Sequence, residues 1–432
     1  MQPMSPLPPL VLASASPRRR VMLSAAGVAA TVVPADLPEV PSPGEAPPAF
    51  ALRVALEKAA AARSAPETPR GATVLAADTV VTVEGRILGK PRSAAEALEM
   101  LATLAGRSHE VWTAFAVDRP GETPVTGLDR TRVTFRPLES AEMADYVASG
   151  EPMDKAGAYG IQGLAGSFVE SVEGAYDTVV GLPVGPVLEA LEAAGVVRPR
   201  SALARRVAVI RARIAAATQA VGRSADEVTL VAVGKTQPAD AIAEMVDAGV
   251  GDIGENYVQE FREKAASPAL AAHGPAVRWH FIGHLQSNKA KYLAPTISAV
   301  HSVDSKTAAA ALDREMKRAG RRLDVCIQVN LAGEARKSGI APEALTDFLT
   351  SMAAFDALDV RGLMTVPPDG RLCDARRHFA ALRTLRDAHA SRARPLAWLS
   401  MGMSGDFDQA IAEGATHVRV GTALFGPRPP VA

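Results

Sequence analysis

The sequence predicts two α/β domains in tandem: a mixed α/β domain over residues 1–198 and a (β/α)8 TIM barrel over residues 199–432. Three observations carry this. The chain has 432 residues, more than one ordinary core accommodates. A composition shift around residues 197–201, with Gly195, Pro199 and clustered arginines, follows a helix-like stretch and reads as a boundary. Beyond it, eight short apolar runs alternate with helical stretches over about 200 residues, the lower size of such a barrel.

In the first half, residues 10–13 read as a strand, and Ser16-Pro17 as the N-cap and first position of a helix. Residues 74–83 are β-rich and end at a Glu84-Gly85 turn. Ser93-Ala94-Ala95-Glu96 has the pattern of a capping box, and its helix closes at Gly106. Strands are expected again at 111–117 and, from alternation, at 131–135; a helix follows over 140–149, ended by Gly150, and another over 187–194. In the second half, strands are expected at 229–233, 252–254, 279–282, 299–303, 325–330, 360–364, 398–401 and 417–420. A barrel works at the C-terminal ends of its strands. The polar residues closing these runs are therefore site candidates: Lys235, Glu255-Asn256, His284, Ser302, Asn330, Thr365, residues 400–404, Arg419 and Gly421-Thr422.

Hydrophobic residues make up 48% of the chain, and 47 basic side chains balance 47 acidic ones, which gives no bulk attraction to nucleic acid or to an anionic membrane. Cys326 and Cys373 lack the spacing of a disulfide framework or a zinc site, so a reducing compartment is expected. With no signal-peptide pattern and no apolar run long enough to span a bilayer, the expected location is cytoplasmic.

Three patterns look like sites and are not read as such. VAVGKTQ, residues 231–237, ends a strand on Gly-Lys-Thr, but the first glycine of a P-loop would fall at Thr229, inside that strand. Gly249-Val250-Gly251-Asp252-Ile253-Gly254 follows a helix and feeds a strand, the reverse of dinucleotide-binding context. His280 and His284 are separated by strand and turn rather than by one helical turn, so their spacing does not make a metal pair.

Lys235 closes the first barrel strand, where a lysine either snorkels to solvent or serves as a nucleophile. Across the mouth, Ser404, Gly421 and Thr422 can present hydroxyl and backbone N–H donors to a phosphate. A lysine facing a phosphate cradle suggests pyridoxal phosphate. Together with GDIGENYVQE, WHFIGHLQSNK, VHSVDS, GLMTV, LSMGMSGDFDQAI and HVRVGTALFG, the stretch resembles the YggS/PROSC-like pyridoxal-phosphate homeostasis proteins over about residues 200–428. The resemblance implies a barrel of the alanine racemase N-terminal type. It also implies that Lys235 forms the Schiff base, that Arg419 faces the pyridine nitrogen, that Ser404, Gly421 and Thr422 hold phosphate, and that Asn256, His284, Asn330 and Met364 line the pocket. Gly234 departs from the family, which often has serine before the lysine. An arginine at the ring nitrogen disfavours its protonation and makes the ring a weak electron sink. Racemases of this type also borrow a tyrosine from an added β domain, whereas this chain runs to Ala432. A cofactor carrier is expected, with an amino-acid racemase as the alternative.

In the first half, Ser14-Ala15-Ser16-Pro17-Arg18-Arg19 sets two cations at a helix N-terminus, which suits a polyphosphate. Asp78 stands inside the apolar run of residues 74–81, where a carboxylate is costly unless paired, metal-bound or catalytic. With Gly89-Lys90-Pro91, GRSHEV and KAGAYGIQGLAGSFVESVEGAYDTVVGLP, these residues resemble the Maf family of nucleoside triphosphate pyrophosphatases over about residues 9–195. The resemblance implies that water attacks the α-phosphate with Asp78 as proton acceptor, giving a monophosphate and pyrophosphate. Ser14, Arg19, Glu39, Lys58 and Lys90 are the implied nucleotide and phosphate contacts, and Mg²⁺ or Mn²⁺ would sit at Asp78 and Glu39 with the substrate phosphates. Arg18, Thr79 and Gln162 match the branch acting on dTTP and UTP, and relatives of this half are commonly homodimers. The alternative for this half is a nucleotide-binding module without hydrolysis.

Overall fold

The structure is a computed structural model describing residues 7–334 and 337–426. It divides into two compact units, Met1–Arg223 with Arg371–Cys373, and Ser224–Gly370 with Asp374–Ala432.

The first unit is built on a seven-stranded mixed sheet. Its strands are β1 (Leu10–Leu12), β2 (Thr31–Val32), β3 (Thr73–Val83), β4 (Arg86–Leu88), β5 (Ser108–Asp118), β6 (Val125–Phe135) and β7 (Val169–Glu173), in the order β2-β1-β3-β5-β6-β7 with β4 on β3. The β1 pairings are parallel, and those among β3, β5, β6 and β7 antiparallel. Helices are α1 (Pro17–Ala25), α2 (Pro47–Ser64), α3 (Ala94–Leu104), α4 (Ser140–Ala148), α5 (Tyr176–Val180), α6 (Val184–Ala193) and α7 (Ala202–Ala220).

Side chains alternate across β3, and each face has its own core. Leu75, Ala77 and Val81 pack with Met22 of α1, Leu101 of α3, Leu188 of α6 and Ala212 of α7. Val74, Ala76 and Val80 pack with Phe50, Val54 and Ala59 of α2. This period of two sends neighbours Asp78 and Thr79 to opposite faces. Helix starts follow local chemistry: the Ser16 side chain accepts from Arg19 N, with Pro17 in the first turn, and Ser201 accepts from Ala204 N. Ser93 accepts from Glu96 N as expected, but the Glu96 carboxylate takes Arg92 N rather than the N-cap N–H.

The second unit is a closed, all-parallel barrel of eight strands: β8 (Thr229–Val233), β9 (Asp252–Glu255), β10 (Arg278–Phe281), β11 (Ile297–Val303), β12 (Leu323–Gln328), β13 (Leu358–Met364), β14 (Trp398–Ser400) and β15 (His417–Val420). A helix follows each strand: α8 (Ala239–Asp247), α9 (Val258–Ala265) with the short α10 (Pro268–Ala271), α11 (Ala290–Leu293), α12 (Lys306–Arg318), α13 (Leu345–Ser351), α14 (Leu372–His389), α15 (Phe407–Ala412) and α16 (Thr422–Phe425). Every expected barrel strand is present, with ends moved by at most two residues. Missing from the sequence reading were α2, which opens on two prolines, the two-residue β2, the short β4 and α5, the strand β7, and α7.

Candidate functional sites

The first unit holds a cavity of about 600 Å³. The first turn of α1 brings Arg18 and Arg19 to it, α2 brings Lys58, β3 brings Asp78 and Thr79, the loops before α2 and after β4 bring Glu39 and Lys90, and the loop before β7 brings Gln162. All of the expected residues except Ser14 line it; Ser14 is buried beside it and accepts from Ser16 N and Arg19 Nη1 at 3.2 Å each.

Lys58 organises the acidic side. It lies in the buried stripe of α2, facing the sheet surface that carries Asp78. Its ammonium donates to Asp78 Oδ1 at 2.7 Å and to Glu39 Oε1 at 2.5 Å, so one cation draws two carboxylates from different elements together. Lys90 stands 3.4 Å from the other Glu39 oxygen. Burial opposes ionisation of Glu39, but the hydrogen bond and charge of Lys58, helped by Lys90, outweigh it and hold the carboxyl below its ordinary range.

Arg19 is a brace. Its guanidinium donates to Gly181 O and Ala77 O at 2.7 Å, to Ser14 Oγ at 3.2 Å and to Thr79 Oγ1 at 3.0 Å, which occupies four of five N–H groups. Thr79 then meets Thr113 Oγ1 at 2.9 Å, and Thr113 donates to Thr178 O at 2.7 Å. The Thr79 hydroxyl is therefore committed as both donor and acceptor. Gln162 is the opposite case. It is 6% exposed, and neither its Nε2 nor its Oε1 has a hydrogen-bond partner. A buried amide left with both ends unpaired is costly, and a ligand with matching groups removes that cost.

Sequence reasoning did not single out Glu151, Asp154 and Lys155, which line the same cavity, with Lys155 Nζ on Glu151 O at 2.7 Å. Lys155 opens the KAGAYGIQG motif, where only Gln162 was assigned a role, whereas Glu151 and Asp154 lie just before it.

In the barrel, parallel topology places Lys235, Asn256, His284, Asn330, Met364, Arg419, Gly421 and Thr422 at or just beyond the C-terminal ends of strands, with Ser404 in the loop after β14. Two of the three residues expected to hold phosphate meet: Ser404 Oγ accepts from Gly421 N at 3.2 Å and also from Ala423 N at 3.3 Å. Asn256 and His284 share a second cavity of about 370 Å³, and Asn256 Oδ1 is buried without a partner. His284 Nδ1 is 3.1 Å from Ser338 Oγ. Asn330 Nδ2 donates to Glu334 O at 2.9 Å, and Met364 is 1% exposed.

The loop carrying Lys235 is held from below. Lys264 donates to Gly234 O at 2.7 Å, Glu255 Oε1 at 2.8 Å and Glu260 Oε2 at 2.9 Å, which uses all three of its protons. Glu260 Oε2 also accepts from Thr236 N at 2.7 Å, pinning a β-branched residue in the left-handed region at φ 65°. Gly234 is tightly enclosed: a Cβ there would stand 2.7 Å from Ile242 Cδ1 and 2.8 Å from Glu255 Oε1. Burial pushes Glu255 up to about 7 despite the Lys264 charge.

Inside the barrel runs a chain that sequence reasoning missed. Asp252 Oδ1 is 3.0 Å from His280 Nε2, His280 Nδ1 is 2.9 Å from His301 Nε2, and His301 Nδ1 is 2.7 Å from Ser400 Oγ. Arg419 Nη1 donates to Ser400 Oγ at 2.8 Å, and Nη2 to Thr365 O at 2.9 Å. One proton order satisfies the chain with neutral imidazoles: Arg419 to Ser400 to His301 to His280 to Asp252. Burial, with His280, His417 and Arg419 nearby, lowers His301 well below the ordinary imidazole range and favours that neutral form. Arg419 is lowered by burial only to about 10, so it stays cationic at neutral pH. Among the described residues, no group of three or more His, Cys, Asp and Glu side chains is arranged to hold a metal.

Fold and sites together define a two-part protein: a mixed-sheet unit whose cavity is lined by arginines, lysines and carboxylates, and a (β/α)8 barrel with a lysine, a serine and backbone N–H groups beyond the C-terminal ends of its strands. Residues 9–194 match the model for Maf-like protein, and residues 200–429 the model for the N-terminal domain of alanine racemase; the chain belongs to both families, as a fusion of the two. It is 51% identical over 190 residues to a dTTP/UTP pyrophosphatase of Myxococcus xanthus, covering 44% of this chain and 94% of that protein. It is 43% identical over 228 residues to a pyridoxal phosphate homeostasis protein of Pseudomonas aeruginosa, covering 53% of this chain and 96% of that protein. PipY of Synechococcus elongatus PCC7942, solved with pyridoxal phosphate bound, is 36% identical with a TM-score of 0.45, over 52% of this chain and 100% of that one.

Proposed function

We propose that the Maf-like unit hydrolyses dTTP and UTP to the monophosphate and pyrophosphate, and that the barrel holds pyridoxal 5'-phosphate for cofactor homeostasis without amino-acid turnover. For the first unit, the carrying observation is Asp78 and Glu39 drawn together on Lys58 in a cavity that also holds an unpaired Gln162 amide. Asp78 takes the proton of the attacking water, a new bond forms at the α-phosphorus, and the bond to the α,β-bridging oxygen breaks to release pyrophosphate. Arg18, Lys90 and Lys155 face the polyphosphate, and Arg19 holds the middle of β3 and the Gly181 loop in register. Gln162 offers one donor and one acceptor to the edge of a pyrimidine. Hard carboxylate oxygens suit Mg²⁺ or Mn²⁺, which Asp78 and Glu39 would hold with the substrate phosphates, where it neutralises phosphate charge.

For the barrel, Lys235 is the attachment point for the cofactor aldehyde, Ser404, Gly421 and Thr422 take the phosphate, and the unpaired Asn256 Oδ1 faces the ligand. Bound there, the cofactor supplies an electrophilic aldehyde and a conjugated ring. Arg419, cationic and fixed by Ser400 and Thr365, keeps a proton off the ring nitrogen, which supports a carrier over a racemase. The relatives at 51% and 43% identity support both halves of this reading. Two free buried cysteines accord with a cytoplasmic location, and among the described residues no helix is long and apolar enough to cross a membrane. One preparation tests both halves: pyrophosphate release from a nucleotide panel, and a borohydride-reducible absorbance that Lys235→Ala removes.

A further inference from the structure

Helix α7 falls inside the stretch that matches the racemase-type model, yet it packs as part of the Maf-like unit. Ala208, Ala212 and Ala216, spaced by four residues on one face of α7, sit in the same core as Met22 and Ala26. Arg213 stacks over the Tyr176 ring at 4.9 Å, and Arg205 pairs with Glu189 of α6 at 2.8 Å. The direction of α7 is fixed at its start, where Arg200 donates to Gly27 O, just past the end of α1, at 3.4 Å. Running back along α1, it delivers its last residues, Gln219 and Ala220, to the wall of the cavity that Arg18 lines. Gln219 Oε1 is buried and has no hydrogen-bond partner. The match to the Myxococcus xanthus relative covers 94% of that protein, which leaves in it too little chain for a 19-residue helix of this kind.

We propose that Gln219 is a specificity-determining residue of the nucleotide site, contributed by the leading helix of the segment that otherwise belongs to the cofactor-binding half. The ligand group it recognises follows from its chemistry. Oε1 is an acceptor, and an ionised triphosphate presents acceptors only, so the partner belongs to the nucleoside: the imide N–H of a pyrimidine or a sugar hydroxyl. The covalent fusion thereby completes the substrate wall with an element outside the Maf-like match. This inference rests on the nucleotide reading of the cavity.

The test compares wild type with Gln219→Met in the full chain, which keeps the side-chain length and removes the amide. KM and kcat are read for UTP, dUTP and 2',3'-dideoxy-TTP, with the melting temperature as a check on folding. Loss of one hydrogen bond raises KM about 3–10-fold with a smaller effect on kcat. A rise confined to the hydroxyl-bearing nucleotides assigns the contact to the sugar, and a rise for all three assigns it to the base; either supports the proposal. Unchanged KM for all three in a variant of unchanged melting temperature overturns it. Absence of pyrophosphate release by wild type would instead sink the hydrolytic reading, and equilibrium binding of dTTP to the same two proteins would still read the Gln219 contact, with equal affinities overturning it.

Discussion

The two sites differ in what their polar groups do with their hydrogen bonds. In the Maf-like cavity the Gln162 amide and Gln219 Oε1 are unpaired. In the barrel, Asn256 Oδ1 is also open, while Arg419, Ser400, His301, His280 and Asp252 satisfy one another in a single direction. Open valences suit a site that takes and releases substrate, since the ligand supplies what the protein lacks. A closed chain suits a site that holds one cofactor in a fixed electrostatic setting.

The largest effect separating the two belongs to Asp78. Asp78→Asn keeps the shape and removes the proton acceptor, and pyrophosphate release should fall by about 10²–10⁴ while nucleotide binding persists. Retained release, measured by a coupled phosphate assay, would make Asp78 an ordinary ion-pair partner of Lys58.

Next comes the barrel chain. His301→Phe leaves the Ser400 hydroxyl proton and His280 Nδ1 without a partner in a dry interior, and should cost about 1–3 kcal/mol of stability in denaturant unfolding. Ser400→Ala removes one anchor of Arg419, so cofactor affinity should drop by about 3–10-fold in absorbance titrations. If neither changes, the chain is packing without a positioning role.

Acid sharpens the contrast. His109 and His417 are lowered by burial to about 3, below the ordinary 6.5, so the unfolded state binds more protons between those values. Their contribution is complete above pH 6.5 and is lost as pH falls towards 3. Glu255 works the other way: raised by burial to about 7 from 4.5, it regains stability for the barrel as pH falls through that window. Amide hydrogen exchange should therefore show both units loosening from pH 6.5 downward, the barrel through His301 and His417 with part of that loss offset by Glu255 until about pH 4.5. Protection that rises in the Maf-like unit over the same fall in pH would contradict the assignment.

Smallest is Gly234→Ser. A Cβ there meets only the tips of Ile242 and Glu255, which can turn aside, so the cost should stay within about 1.5 kcal/mol. A larger loss would mean that the Glu255–Lys264–Glu260 cluster tolerates no adjustment.

Much of this arrangement was legible in sequence where one strand carries its own signal. The barrel strands announced themselves by apolar runs of set length, and parallel topology then brought Lys235, Arg419 and Ser404 to one end without further information. Asp78 was legible because a carboxylate in an apolar run demands an explanation. The histidine chain was not, because His280, His301 and Ser400 lie far apart in sequence and each alone reads as a buried polar residue. Helix α2 was hidden behind its opening prolines, although Lys58 was identified through the family pattern. Gln219 could not be assigned to the nucleotide cavity from the family match, because that match gives α7 to the other half of the chain.

The most direct measurement of the central claim is pyrophosphate release by the intact chain and by Asp78→Asn over dTTP, UTP, GTP and ATP. The expected result is turnover of the two pyrimidine nucleotides well above the purines, abolished in the variant. Release that ignores the base, or that survives Asp78→Asn, would contradict the reading of Gln162 and Asp78 on which the first site rests.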